Sequence, residues 1–131
     1  MYNKQIKATE NSPEIILDAS GIISITGKSR MEDASLFYDE IHEWVKIYTN
    51  ECTALLTVRL DLTYFNSTSA KQLLKLLMTI HESKVQGKVI WFYPQTNEIL
   101  FERGQELEIM LDIPFEFHSY SGLDPDFKIS E

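Results

Sequence analysis

The sequence predicts an α/β fold in which a mixed sheet of about five to six strands packs against about three helices. Short extended segments fill the first third of the chain, and apolar residues then recur at helical spacing in three stretches. Compact apolar runs typical of buried strands separate these stretches. A length of 131 residues suits one compact domain. We therefore expect residues 1–131 to form a single domain, with a polar tail over about 121–131.

Three strands near one edge of the sheet are expected at the start of the chain. They cover Gln5–Ala8, Glu14–Asp18 and Ile22–Thr26. Turn-forming residues separate them. The first helix is predicted over Glu32–Tyr48, where one face is apolar and the other carries acids expected to face solvent. Its inward residues are Ala34, Phe37, Tyr38, Ile41, Trp44, Val45 and Tyr48.

The middle of the chain predicts a strand, a helix and a parallel strand connected by a right-handed crossover. The first strand is Ala54–Leu62, and the helix follows it to about Val85, with Gly87 as its C-cap. The second strand is Val89–Tyr93.

A third helix and a last strand complete the prediction. The helix covers about Asn97–Leu111, weakened in its middle by Gly104, and the strand covers Phe115–Tyr120. The residues expected to face inward from the helix are Ile99, Leu100, Leu107, Met110 and Leu111.

Charge and composition exclude several classes of function. Twenty acidic residues against 12 basic ones give a net charge of −8, which disfavours binding to nucleic acid. No segment has the apolar length of a signal peptide or a membrane span, so a cytoplasmic protein without membrane contact is expected. Cys52 is the single cysteine, and the three histidines show no ligand spacing, so we expect neither metal nor cofactor. The histidines are His42, His81 and His118.

The stretch LTYFNSTSAK, residues 62–71, lies between the central strand and the second helix, where loops of open α/β sheets carry ligands or reactive groups. It contains no glycine, which excludes a phosphate-binding loop, and the chain has no G-x-S-x-G motif, so we predict no enzyme activity. Its run of Asn, Ser and Thr has two interpretations. These residues cap helices, and a phosphorylated hydroxyl at a helix N-terminus would also be stabilised there.

Several motifs resemble the SiaC family of regulatory phosphoproteins, which are related in shape to STAS domains. They are YFNSTSAKQLL after LLTVRLDLT, the opening ATENSPEIILDASGIISITGKS, the Phe37-Tyr38 helix and the closing LDIPFEF. The resemblance implies a single STAS-like domain that switches partners without catalysis of its own. In such proteins the phosphoacceptor lies two residues beyond an Asp or Asn, which matches Thr68 after Asn66. Ser67 and Ser69 are the alternative acceptors.

The resemblance also implies partners. A serine/threonine kinase of the histidine-kinase-like ATPase type would phosphorylate Thr68, and a PP2C-type phosphatase would reverse this. The unmodified form would bind a diguanylate cyclase and adjust cyclic di-GMP signalling and biofilm behaviour. The expected partner-binding residues are Tyr64, Phe65, Asn66, Ser67, Ser69 and Lys71, with Tyr64 and Phe65 acting either as an exposed anchor or as a hydrophobic staple. Two alternatives remain: a small-molecule-binding STAS-like domain that uses the same strand-end crevice, and a hydrolase.

Overall fold

The computed structural model describes residues 1–52 and 54–121, so the predicted tail lies outside the described residues except for Ser121. Six strands and three helices follow one another in this part of the chain, which confirms the predicted fold class. Their bounds are β1 (Lys4–Ile6), β2 (Glu14–Asp18), β3 (Ile22–Ser29), α1 (Ala34–Glu51), β4 (Leu56–Phe65), α2 (Ser67–His81), β5 (Gly87–Pro94), α3 (Glu98–Met110) and β6 (Phe115–Tyr120).

The strands form one mixed sheet in which spatial order equals chain order, β1-β2-β3-β4-β5-β6. The pairs β1–β2 and β2–β3 are antiparallel. The pairs β3–β4, β4–β5 and β5–β6 are parallel, and each is connected through a helix. The predicted parallel βαβ unit is thus confirmed, and two more such units flank it.

The helices cover one face of this sheet. Crossovers between parallel strands are almost always right-handed, and three right-handed crossovers that advance in one direction place their helices on the same side. In β4 every second residue is buried, whereas Thr57, Arg59, Asp61 and Thr63 between them are less so. The buried set is Leu56, Val58, Leu60 and Leu62. The core therefore lies between the sheet and the helices, and the carboxyl ends of the parallel strands lead into the helix starts.

A β-bulge sets where β4 ends. The register between β3 and β4 shifts between Gly27 and Lys28, so that Gly27 faces Leu62 and Lys28 faces Tyr64. Gly27 has φ of 124°, which side-chain-bearing residues rarely adopt. Beyond the bulge, pairing continues to Ser29 and Phe65. The strand consequently runs three residues past its predicted end, and one residue connects it to α2.

The predicted C-cap of α2 is wrong. The helix ends at His81 with Glu82 as its C-cap, and Gly87 begins β5 instead. A Cβ atom at Gly87 would lie 2.7 Å from Cγ2 of Ile80, so this glycine allows the strand to approach the end of α2 closely. Sequence periodicity could not separate that packing role from a capping role.

Two inward assignments in α3 are also wrong, because Ile99 and Met110 are 69% and 62% exposed. The buried face is formed by Leu100, Gly104 and Leu107. A Cβ atom at Gly104 would lie 2.7 to 2.8 Å from atoms of Trp91 and Phe117, so the glycine lets α3 lie flat on the sheet. None of the described helices combines the length and the apolar character needed to cross a membrane.

Candidate functional site

The junction between β4 and α2 is closed by one capping residue, Asn66. Its backbone is extended, and its side-chain Oδ1 accepts a hydrogen bond from the amide of Ser69 at 3.0 Å. Its own amide donates to the carbonyl oxygen of Ser29 at 3.0 Å, which ties the junction to the end of β3. The helix-capping interpretation is therefore correct for Asn66, and it leaves the three hydroxyls that follow to be explained separately.

These three hydroxyls occupy different environments although they share one helical turn. Ser67 is exposed, Thr68 is half-buried, and Ser69 is fully buried. A kinase must reach the oxygen that it modifies. The exposure of these three residues therefore ranks them as candidate phosphoacceptors. Thr68 and Ser67 are accessible, whereas Ser69 is enclosed.

Ser69 belongs to a buried hydrogen-bond network. Its Oγ lies 2.6 Å from Oγ of Ser29 and donates to the Ser29 carbonyl oxygen at 3.0 Å. Oγ of Ser29 is also hydrogen-bonded to the Tyr38 hydroxyl at 3.0 Å, and burial raises the pKa of Tyr38 to about 12. The network joins β3, α1 and α2. Ser69 is therefore a structural residue in this arrangement, and neither its expected partner contact nor its role as an alternative acceptor fits its position.

The Thr68 hydroxyl lies at the edge of the helix start and faces two acceptors. Its Oγ is 3.0 Å from Oδ1 of Asn66 and 3.2 Å from the carbonyl oxygen of Met31. The same carbonyl oxygen accepts a hydrogen bond from Nδ2 of Asn66 at 2.9 Å. Met31 lies in the loop between β3 and α1, so this loop is held against the start of α2.

Tyr64 and Phe65 lie on opposite sides of β4. Tyr64 is 48% exposed, but Phe65 is buried, with its ring edge-to-face with Trp91 at 5.9 Å. The guanidinium of Arg103 lies 4.0 Å from the centre of the Phe65 ring, and its Nη1 donates to the Phe65 carbonyl oxygen at 3.2 Å. Phe65 is thus not an exposed anchor. It precedes the cap, and together with Ala70 in the next turn it borders one groove, as expected for a staple.

The strand-end crevice is a groove between α2 and α3 with a volume of about 170 Å³. Exposed Lys71 lies at its rim, and Arg103 and Glu106 line its other side. Sites for small organic ligands usually enclose about 300 to 1,000 Å³. The crevice is smaller than that, so the groove does not favour the small-molecule interpretation.

A larger cavity, about 400 Å³, lies at the other end of the sheet. Leu55 and Gly87, at the amino ends of β4 and β5, help to line it, and none of the predicted site residues does. Within residues 1–52 and 54–121, no three His, Cys, Asp or Glu side chains form a group that could hold a metal ion. The larger cavity does not include any residue at the start of α2.

Four residues of the site were not predicted from the sequence: Ser29, Met31, Tyr38 and Arg103. Ser29 could have been inferred, because the carboxyl ends of neighbouring parallel strands meet at one edge of a sheet. Met31 acts through its backbone, and Tyr38 reads as an ordinary inward residue of α1. The contact of Arg103 depends on the packing of α3, and no local sequence pattern marks it.

The sequence of this chain matches a known protein family. The model of the SiaC family regulatory phosphoproteins matches residues 6–120. An uncharacterized protein of Pseudomonas aeruginosa strain UCBPP-PA14 is 25% identical over 124 residues, which span 92% of this chain and 98% of that protein.

Solved structures share the fold. The crystal structure of apo-SiaC from Pseudomonas aeruginosa matches with a TM-score of 0.84 and 23% identity, over 91% of this chain and 100% of that one. A chain in the crystal structure of the diguanylate cyclase SiaD in complex with its activator SiaC, from the same organism, also matches with a TM-score of 0.84. Its identity is 24%, over 89% of this chain and 99% of that one.

Proposed function

Because this chain belongs to the SiaC family of regulatory phosphoproteins, we propose that it is a partner-switching regulator reversibly phosphorylated on Thr68. The observation that carries the proposal is the position of the Thr68 hydroxyl. Thr68 is only half-buried, it lies in the first turn of α2, and its hydroxyl is held by Asn66 and the Met31 carbonyl oxygen. Ser67 next to it is more exposed and is the alternative acceptor.

The start of α2 suits an added phosphate. The first amides of a helix lack intrahelical partners, and the positive end of the helix dipole stabilises a negative charge there. α1 has Asp33 as its N-cap and α3 has Glu98 in its first turn, whereas α2 has neither an acidic cap nor an acid in its first turn. A phosphate on Thr68 would therefore supply the negative charge that the other two helix starts already have.

The unmodified protein would bind a diguanylate cyclase and so adjust cyclic di-GMP signalling and biofilm behaviour. Support comes from the related Pseudomonas aeruginosa complex, in which SiaC is named as the activator of the diguanylate cyclase SiaD. The binding surface would include Tyr64, Asn66, Ser67 and Lys71, which are accessible around Thr68. Phe65 and Ser69 would support that surface from below. A phosphate with about −1.5 to −2 charges would repel a partner docked over it.

The regulator would carry out no catalysis of its own and would be a substrate of two enzymes. A serine/threonine kinase of the histidine-kinase-like ATPase type would add the phosphate, and a PP2C-type phosphatase would remove it. Since the kinase consumes ATP, the proposal places the protein in the cytoplasm. The domain would stay folded in both states, and its surface charge would differ.

Mass spectrometry tests the acceptor. The protein is co-expressed with its kinase, and intact mass and peptide fragmentation locate the phosphate. We expect one phosphate on Thr68, its loss in Thr68→Ala, and its retention in the matched control Ser67→Ala. Unreduced phosphorylation of Thr68→Ala would overturn the assignment of the acceptor. Phosphorylation that leaves binding to the diguanylate cyclase unchanged would overturn the switch.

A further inference from the structure

The hydrogen bonds that join the loop between β3 and α1, residues 30–33, to the side chains of Asn66 and Thr68 meet at one atom, although the Met31 side chain also packs against the core. The carbonyl oxygen of Met31 accepts a hydrogen bond from Nδ2 of Asn66 at 2.9 Å and lies 3.2 Å from Oγ of Thr68. We call these three groups the Met31 latch: the Met31 carbonyl, the Asn66 side-chain amide and the Thr68 hydroxyl. The proposed phosphoacceptor is thus itself one of the groups that hold the loop.

The amino-terminal side of the loop is attached elsewhere. The amide of Arg30 donates to the carbonyl oxygen of Asn11 at 2.9 Å, and its Nε donates to the Glu10 carbonyl oxygen at 3.2 Å. On the other side, Asp33 caps α1 by accepting from the amide of Ser35 at 3.1 Å. The Met31 latch therefore holds the middle of a short segment. This segment begins at Arg30 and ends at Asp33, the N-cap of α1.

Phosphorylation changes the chemistry of the latch. The bond between Oγ of Thr68 and the γ-phosphorus of ATP forms, the bond from that phosphorus to the β,γ-bridging oxygen breaks, and the hydroxyl proton leaves to a base of the kinase. The single Thr68 hydroxyl proton is shared between Oδ1 of Asn66 and the Met31 carbonyl oxygen, and the esterified Oγ has no proton to donate to either. The phosphate oxygens accept hydrogen bonds only, so they repel this carbonyl and compete for Nδ2 of Asn66.

We propose that phosphorylation of Thr68 opens the Met31 latch and releases the loop at residues 31–33, so that the target detects a changed surface shape as well as an added charge. This inference rests on the proposed phosphorylation of Thr68. Glu32 and Asp33 are both exposed and follow Met31 directly, so their carboxylates add to the repulsion by the phosphate. Release would carry the start of α1 with it, because Asp33 is the cap of that helix.

The matched pair Thr68→Val and Thr68→Ser separates the effect of losing the latch hydrogen bond from the effect of added charge. Neither variant adds a charge, and only serine keeps a hydroxyl. Amide hydrogen exchange across residues 31–35 is measured by NMR for both variants and for the phosphorylated wild type, with the Ser35 amide, which donates to Oδ1 of Asp33, as the protected reporter. Loss of a hydrogen bond of ordinary strength predicts exchange that is about fivefold to tenfold faster in Thr68→Val and in the phosphorylated protein. Thr68→Ser should exchange as the wild type does, and the amides of α3 should not change in any sample.

Binding of the diguanylate cyclase is measured on the same samples. The latch predicts that Thr68→Val binds more weakly than Thr68→Ser although both are uncharged. Unchanged exchange at residues 31–35 in a phosphorylated protein that no longer binds its target would overturn the latch and leave the switch by charge intact. Faster exchange in the phosphorylated protein alone, with Thr68→Val unchanged, would also overturn it. Full target binding by the phosphorylated protein would contradict the proposed function instead.

Discussion

The starts of α2 and α3 use the same cap and differ in what surrounds it. Oδ1 of Asn66 accepts from the amide of Ser69 at 3.0 Å, and Oδ1 of Asn97 accepts from the amide of Leu100 at 3.1 Å. In α3 the next residue is Glu98, a carboxylate that already suits the positive end of the helix. In α2 three hydroxyls follow the cap, and no acid is present in the first turn.

The difference shows that the capping residue alone does not distinguish these two helix starts. The Asn97 side chain accepts from the Leu100 amide of its own helix, and the Leu100 carbonyl oxygen accepts from Nε1 of Trp91 in β5. In α2, Nδ2 of the capping Asn66 also donates to the Met31 carbonyl oxygen, and the Thr68 hydroxyl donates to Oδ1 of Asn66. The start of α2 is therefore hydrogen-bonded to a second segment of the chain, the loop that contains Met31.

The largest expected effect distinguishes the buried from the exposed hydroxyl within the α2 start. Ser69→Asp places a carboxylate among Ser29 and Tyr38 without a compensating cation, and we expect it to destabilise the fold by about 3 kcal/mol or more. Ser67→Asp is the control, because its exposed carboxylate lies near the helix N-terminus and should cost nothing measurable. Urea unfolding measures both. Equal stability of the two variants would contradict the assigned burial of Ser69.

Removing each cap compares the two helix starts directly. Asn97→Ala should lower the free energy of unfolding by about 1 kcal/mol, the ordinary contribution of an N-cap. Asn66→Ala also removes the hydrogen bond to the Met31 carbonyl, so we expect a loss of about 2 kcal/mol. Chemical denaturation of the two variants in the same buffer provides the comparison. A smaller loss for Asn66→Ala than for Asn97→Ala would show that the link to Met31 contributes no stability.

Acid should destabilise the fold through the partly buried His42, which contacts α2, and the compared contact of α3 has no titrating group. Nε2 of His42 in α1 is hydrogen-bonded to Oε1 of Gln72 in α2 at 2.9 Å, whereas Nε1 of Trp91 donates to the carbonyl oxygen of Leu100 in α3 at 3.0 Å and does not titrate. Burial lowers the pKa of His42 below its ordinary value of 6.5, and the hydrogen bond to Gln72 opposes this in part. The unfolded chain therefore takes up a proton at a higher pH than the folded protein does.

Stability from this histidine is complete above pH 6.5 and is lost as the pH falls from there towards the lower folded-state pKa. We expect the thermal midpoint of the wild type to fall between about pH 7.5 and pH 5.5, and to fall less in His42→Gln, which lacks the titrating group. Thermal unfolding followed by circular dichroism at several pH values measures the difference. Parallel curves for both proteins would exclude His42 as the cause.

The sequence predicted most of the architecture because the elements have strong periodicity. β2 and β6 have the predicted bounds, and α1 buries the predicted face except for half-buried Phe37. The predictions were wrong where packing between elements decides the role or the exposure of a residue. Gly87 and Gly104 fit close approaches between elements, and Ile99 lies one position away from the buried face of α3. Local sequence does not report such approaches.

The strand–helix junction proposed as the site could be located from the sequence, but the environments of its hydroxyls could not. The run from Asn66 to Ser69 marks the junction, since these residue types favour helix starts. The buried hydroxyl, that of Ser69, has its hydrogen-bond partner Ser29 on β3, and Ser29 is in turn bonded to Tyr38 on α1, so local sequence does not show it. Phe65 was expected to be either anchor or staple, and its burial against Trp91 was decided by the sheet register.

The central claim is that negative charge at Thr68 prevents binding of the target. The direct measurement is the dissociation constant of the organism's own diguanylate cyclase for Thr68→Glu and Thr68→Gln, which have the same shape and differ in charge. We expect the glutamate variant to bind at least about tenfold more weakly, a difference of about 1.4 kcal/mol. The thermal midpoints of the two variants should agree within about 4 °C, because a helix N-terminus tolerates a carboxylate. Equal affinity of the two folded variants would contradict the account.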